Sequence, residues 1–127
     1  MKQAMSSLPS RFADLLGAEH VLTGAAALSA CEVDGLRPCA VLRPGSAAEI
    51  AEILRLAAAE RLAVIPMGGR TKLGIGMPPR RYDLALDLTR MDRVLAFDPA
   101  DLTLGVEPGV RFAELERHLA AQRQFLP

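Results

Sequence analysis

Apolar and polar positions change period several times along this chain, and each change marks an element. Phe12, Leu15 and Leu16 share one face of a short helix, with Ser10 placed to cap its start and Gly17 to stop it. From 18 to 38 the periodicity is weak and predicts an irregular approach segment, in which Val21 and Leu22 touch the core. The apolar run 39–42 then predicts a strand, and Arg43-Pro44-Gly45 a turn. Ser46 and Glu49 have capping-box spacing, and Ile50, Ile53, Leu54 and Ala57 follow at helical spacing, so a helix is expected over 47–60.

A second strand is expected at 63–66. Strand, helix and strand with short links predict a right-handed crossover between parallel strands. The alternating stretch 84–88 reads as a third strand. Runs at 94–97 and 102–106 flank the turn signature Asp98-Pro99-Ala100-Asp101 and should pair as a hairpin. Pro108-Gly109 ends that last strand, and Phe112, Leu115 and Leu119 mark a helix over 111–122. The pattern amounts to an α+β fold: a small mixed sheet with a parallel strand-helix-strand unit, flanked by helices. At 127 residues it is one domain or part of one, with 1–37 as the approach and 38–127 as the main unit.

The stretch Pro66-Met67-Gly68-Gly69-Arg70-Thr71-Lys72-Leu73-Gly74-Ile75-Gly76 follows the second strand directly, where ligands of open α/β sheets lie. Its glycines permit positive φ and close approach to the main chain. Between Arg61 and Tyr82 there are five basic residues and no acidic one. Amide donors, missing Cβ atoms and the absence of a carboxylate suit an anionic group such as a pyrophosphate. A long surface loop with solvated arginines is the plainer reading of the same residues.

Composition narrows the rest. Fifteen basic and fifteen acidic residues leave no net charge, so nothing draws the chain as a whole toward nucleic acid. Few aromatics and no tryptophan imply an aliphatic core. The first residues lack a signal-peptide pattern and no apolar run has membrane-spanning length, so a cytoplasmic protein is expected. Cys31 and Cys39 lack metal-ligand spacing and read as reduced, partly buried thiols rather than a bridge; His20 and His118 belong to no metal motif. The loop is not a Walker loop, since Gly-Lys-Ser/Thr is absent. It is not a Rossmann fingerprint either, because Pro78-Pro79 stands where a helix should begin. Glu107 has no evident partner and reads as a solvated strand end rather than a catalytic base.

The order of these features is more specific than any one of them. Val33-Asp34-Gly35-Leu36-Arg37-Pro38, the stretch 41–50, the glycine loop, the stretch 86–94 and Val106-Glu107-Pro108-Gly109-Val110 together resemble the N-terminal part of the FAD-linked oxidases, the vanillyl-alcohol oxidase / p-cresol methylhydroxylase (PCMH-type) family. Within it the chain looks most like the FAD-binding subunit of bacterial glycolate oxidase. The resemblance covers about residue 8 onward. It implies that FAD is held with its pyrophosphate on Pro66, Met67, Gly68, Gly69, Arg70, Thr71, Lys72 and Leu73, and that Gly109 is a second point where main chain nears the cofactor. It also implies a small α-hydroxy acid substrate such as glycolate or D-lactate, and partner subunits of a glycolate oxidase-like complex. Thr71 stands where some relatives carry a flavin-linking histidine, which implies non-covalent FAD. Met67 and Arg70 depart from the family's usual arginine and glycine. The family continues into a second FAD subdomain and often a substrate cap. This chain is therefore expected to carry the first subdomain alone, with catalytic residues beyond 127; an FAD-holding subunit or remnant without activity of its own is the alternative.

Overall fold

A computed structural model describes residues 2–126 and contains α1 (Lys2–Leu16), a 3-10 turn (Ala18–His20), β1 (Val21–Leu22), α2 (Ala25–Ala30), β2 (Ala40–Leu42), α3 (Ala47–Ala59), β3 (Val64–Met67), β4 (Leu84–Asp87), β5 (Val94–Asp98), β6 (Thr103–Val106) and α4 (Phe112–Ala120). A four-stranded sheet has the order β1-β2-β4-β3, and β5 and β6 form a separate antiparallel pair. The α+β class with parallel central strands is as the pattern implies.

Period-two alternation decides how the sheet is buried. Ala40, Leu42, Leu84 and Leu86 face one core with Phe12, Ile53 and Ala57, covered by α1 and α3. Val41, Ala85 and Met67 face a second core with Cys31, Val33 and Tyr82. Every residue of β2 and of β4 is buried, which marks these two as the interior strands. That placement qualifies the expected crossover: β2 and β3 are parallel, yet both pair with β4, which lies between them. β2 and β4 are both covered on both faces, and β4 is the one flanked by a parallel strand on each side. Full burial of Phe12 or Ile53 contributes about 1.5–3 kcal/mol each.

The N-terminal segment departs further from expectation. α1 begins at Lys2 and runs through Pro9, so Ser10 lies inside the helix and is not its cap. Proline removes one helical hydrogen bond, but Leu8, Phe12 and Leu16 stack on one buried face and hold the turn. Gly17 does end the helix, at φ 88°. The segment expected to be irregular contains α2 and β1, whose Val21 and Leu22 pair with Leu42 and Val41. The capping box of α3 forms in altered shape. Ser46 Oγ accepts from Glu49 N at 3.2 Å, while Glu49 Oε2 takes the amide of Gly45 at 2.7 Å.

Glu107 corrects the sequence reading: it is buried and paired, not solvated. Its Oε2 accepts from the main-chain N of Arg93 at 2.9 Å and its Oε1 from the Arg93 guanidinium at 2.6 Å. The two residues meet because 93 and 107 close the base of the hairpin. The hydrogen bonds from Arg93, side chain first and then main chain, hold the Glu107 carboxyl below the usual carboxylate range. A depressed carboxyl adds stability above the unfolded value near pH 4.3 and loses it as the pH falls through the lower folded value. Denaturant melts of Glu107→Gln should therefore show a deficit against wild type at pH 7 that shrinks steadily below about pH 4. A deficit of constant size from pH 7 to 3 would contradict this.

Candidate functional site

The glycine loop leaves the carboxyl end of β3. Pro66 and Met67 are strand residues: Pro66 has no N–H to offer, and the Met67 side chain is buried in the second core. The donor row therefore begins at Gly68. Among the described residues, no main-chain or side-chain acceptor takes the amides of Gly68, Gly69, Arg70, Thr71, Lys72, Leu73 or Gly74, whereas Ile75 N returns to Lys72 O at 3.2 Å. Seven consecutive donors are thus left to solvent or a ligand. A Cβ on Gly69 or Gly74 would meet no protein atom within 4 Å, and one on Gly68 would only touch Pro108 O at 3.4 Å.

Arg70 holds this loop down. It adopts a left-handed conformation at φ 59°, and its Nη1 lies 3.5 Å from Cys31 Sγ at the end of α2. Tyr82 Oη donates to the carbonyl of the same cysteine at 3.0 Å, and burial pushes its phenol well above the ordinary range. The left-handed region costs a non-glycine residue about 1–2 kcal/mol, while glycine there gives back about 0.5–1 kcal/mol in chain entropy. Arg70→Gly should consequently leave the melting temperature level or raise it by a few degrees. A clear fall would mean that the contact with Cys31 outweighs the strain.

Facing the loop is the start of α4. A cleft of about 530 Å³ lies between them, lined by Gly69 and Thr71 on one side and by Val110, Arg111, Phe112, Ala113 and Glu116 on the other. The amphipathic pattern located this helix, but nothing in it indicated that Arg111 and Glu116 would line a cleft. Gly109 lies close by in sequence, and its missing side chain has a packing reason of its own. A Cβ there would sit 2.1 Å from Leu88 O and 2.7 Å from Met91 O, and its N–H donates to Met91 O at 2.8 Å. Its missing side chain serves the packing of the β4–β5 connection.

Beside the loop, Asp87 closes the end of β4 and is buried. Its Oδ1 accepts from Thr89 N at 2.9 Å and from Thr89 Oγ1 at 2.6 Å. Arg90 Nη1 donates to Arg43 O at 2.6 Å, tying the ends of β2 and β4 together. These residues fix the carboxyl ends of β2 and β4. Cys31 and Cys39 are free thiols, as expected. Among the described residues there is no metal-binding cluster, and no helix is long and apolar enough to cross a membrane. A second cleft, of about 430 Å³, lies between the hairpin and the end of α4 and is lined mainly by Phe97, Leu102, Leu104, Leu119, Phe125 and Leu126. It carries little polar chemistry.

Comparison with known proteins follows the same outline. The model of a family described as "FAD binding domain" matches residues 38–127. A D-2-hydroxyglutarate dehydrogenase of Xanthomonas citri pv. viticola is 38% identical over 89 residues, covering 70% of this chain and 18% of the relative. The glycolate oxidase subunit GlcD of Bacillus subtilis is 32% identical over 90 residues, 71% of this chain and 19% of that protein. The chain thus spans about one fifth of the length of these relatives. Among solved structures, p-cresol methylhydroxylase with substrate bound superimposes with a TM-score of 0.82 at 19% identity, over 95% of this chain and 25% of that one.

Proposed function

Because this chain belongs to the FAD binding domain family, we propose that it is the FAD-holding portion of a flavin-dependent oxidoreductase acting on a small α-hydroxy acid such as glycolate or D-lactate. The observation that supports the placement of the cofactor is the row of uncommitted amides from Gly68 to Gly74 at the carboxyl end of β3. A pyrophosphate offers oxygens to such a row, and no acidic side chain between Arg61 and Tyr82 competes with it. The 68–74 main chain holds the phosphates, Lys72 adds a screened attraction, and Arg70 keeps the loop seated on α2. When bound, FAD supplies the hydride-accepting chemistry. The residues of this chain bind and orient it.

The α-hydroxy acid is favoured by two relatives whose names carry one, a D-2-hydroxyglutarate dehydrogenase and a glycolate oxidase subunit. The second of these names is also what supports a place as one subunit of a glycolate oxidase-like complex. A second reading is favoured by coverage: the chain matches only 18% and 19% of those proteins. On that reading the chain alone holds FAD without turning over substrate. The two are separated by a dye-reduction assay with glycolate and D-lactate on the FAD-loaded chain, where the second predicts no reduction.

Attachment is non-covalent on this proposal, since Thr71 has no imidazole and both cysteines lie outside the loop. All yellow colour should stay in the supernatant after acid precipitation. Flavin fluorescence that migrates with the polypeptide on a denaturing gel would overturn this.

A further inference from the structure

We infer that Glu116 reads sugar hydroxyls in the cleft between the glycine loop and α4, making it a specificity-determining residue for a nucleotide held on that loop. This rests on the FAD reading above. Five of the eight glutamates of the chain pair with an arginine, Glu32, Glu49, Glu52, Glu60 and Glu107, and Glu19 lies 3.7 Å from His20 Nε2. The two without a partner among the described residues, Glu114 and Glu116, both lie on α4, and only Glu116 lines the cleft. Phe112, Ala113 and Glu116 are spaced three and four apart, so one face of the helix is turned toward Gly69 and Thr71. Arg111, the other charged side chain of the cleft, is unpaired as well among the described residues.

The cleft therefore presents a cation at one end of the helical face and, about a turn and a half along, a carboxylate with no protein donor among the described residues. A carboxylate beside a phosphate grip is repulsive unless its own partner is a donor, and the donors a nucleotide carries next to its phosphates are sugar hydroxyls. Acidic side chains read ribose hydroxyls in this way in other nucleotide sites. In FAD the hydroxyls belong either to the adenosine ribose or to the ribityl chain. Both have the same chemistry.

The sign of the effect tests the inference. A bystander carboxylate repels the pyrophosphate, so Glu116→Ala would tighten FAD or leave it unchanged. A hydroxyl-reading carboxylate makes the same substitution weaken FAD by roughly tenfold, the low end for a hydrogen bond to a charged acceptor. Glu116→Gln, which keeps an acceptor, should recover part of that loss. Calorimetric titration of the 127-residue chain with FAD, ADP and 2′-deoxy-ADP separates the sources. Wild type preferring ADP over 2′-deoxy-ADP, with the preference lost in Glu116→Ala, places the adenosine ribose at Glu116. Weakened FAD without that preference places the ribityl chain there. Unchanged or tighter FAD in Glu116→Ala overturns the inference while leaving the FAD reading intact. Failure of wild type to bind either FAD or ADP overturns both.

Discussion

Replacing Gly109 by alanine should cost this protein about 3 kcal/mol or more and lower its melting temperature by roughly 10 °C or more. The new methyl would lie 2.1 Å from Leu88 O and 2.7 Å from Met91 O, and both obstacles are main chain, so no rotamer change relieves the clash. Moving the segment away would also break the bond from Gly109 N to Met91 O and disturb the base of the hairpin. Met91 and Leu88 are themselves tied by the 3.0 Å bond from Met91 N to Leu88 O, which makes the obstacle rigid. Thermal melts followed by circular dichroism measure the effect. A shift of less than about 3 °C would show that the segment repacks cheaply.

The second large effect is expected at Gly69, and it is the converse. Valine there meets no protein atom near its Cβ, and Gly69 has no positive φ to strain it. The melting temperature should stay within about 2 °C of wild type. The side chain would instead stand in the path of a ligand approaching the amide row, and FAD affinity should fall at least about tenfold, the loss of one or two charge-assisted hydrogen bonds. Lys72→Ala removes only an exposed charge and should cost about two- to threefold at physiological salt. Titration by flavin fluorescence gives both numbers. Equal losses in the two variants would place the phosphate contact on side chains instead of the main chain.

The contrast between the two glycines shows what the sequence alone conveys. Both lie in segments that resemble the same family, and both were assigned to the cofactor on that resemblance. Only the three-dimensional neighbourhood separates them, because the atoms that exclude a side chain at Gly109 belong to Leu88 and Met91, some twenty residues earlier. Elements with a strong local signal were legible: the capped helix α3, the hairpin around Asp98-Pro99, and the strand that feeds the glycine loop. The insertion of β4 between β2 and β3 was not, since strand order is set by long-range pairing that no local pattern encodes. α2 and β1 escaped notice because a helix of six residues and a strand of two carry too little periodicity to register. Glu107 was misread because its partner Arg93 is fourteen positions away and meets it only when the hairpin closes. Within the candidate site the loop was found from its glycines, whereas Arg111 and Glu116 sit on a helix whose apolar face reveals nothing about what its polar face confronts.

The amides of Gly68 to Gly74 are the proposed seat of the cofactor's phosphates. The most direct test is a nitrogen-15 amide NMR titration of the chain with FAD, repeated with ADP. The expected result is saturable shifts concentrated at 68–74 and at 110–113 across the cleft, appearing with both ligands because both carry the pyrophosphate. Shifts confined to the apolar cleft around Phe97, Leu104 and Leu119, or no saturable shift in the loop at any ligand concentration, would contradict it.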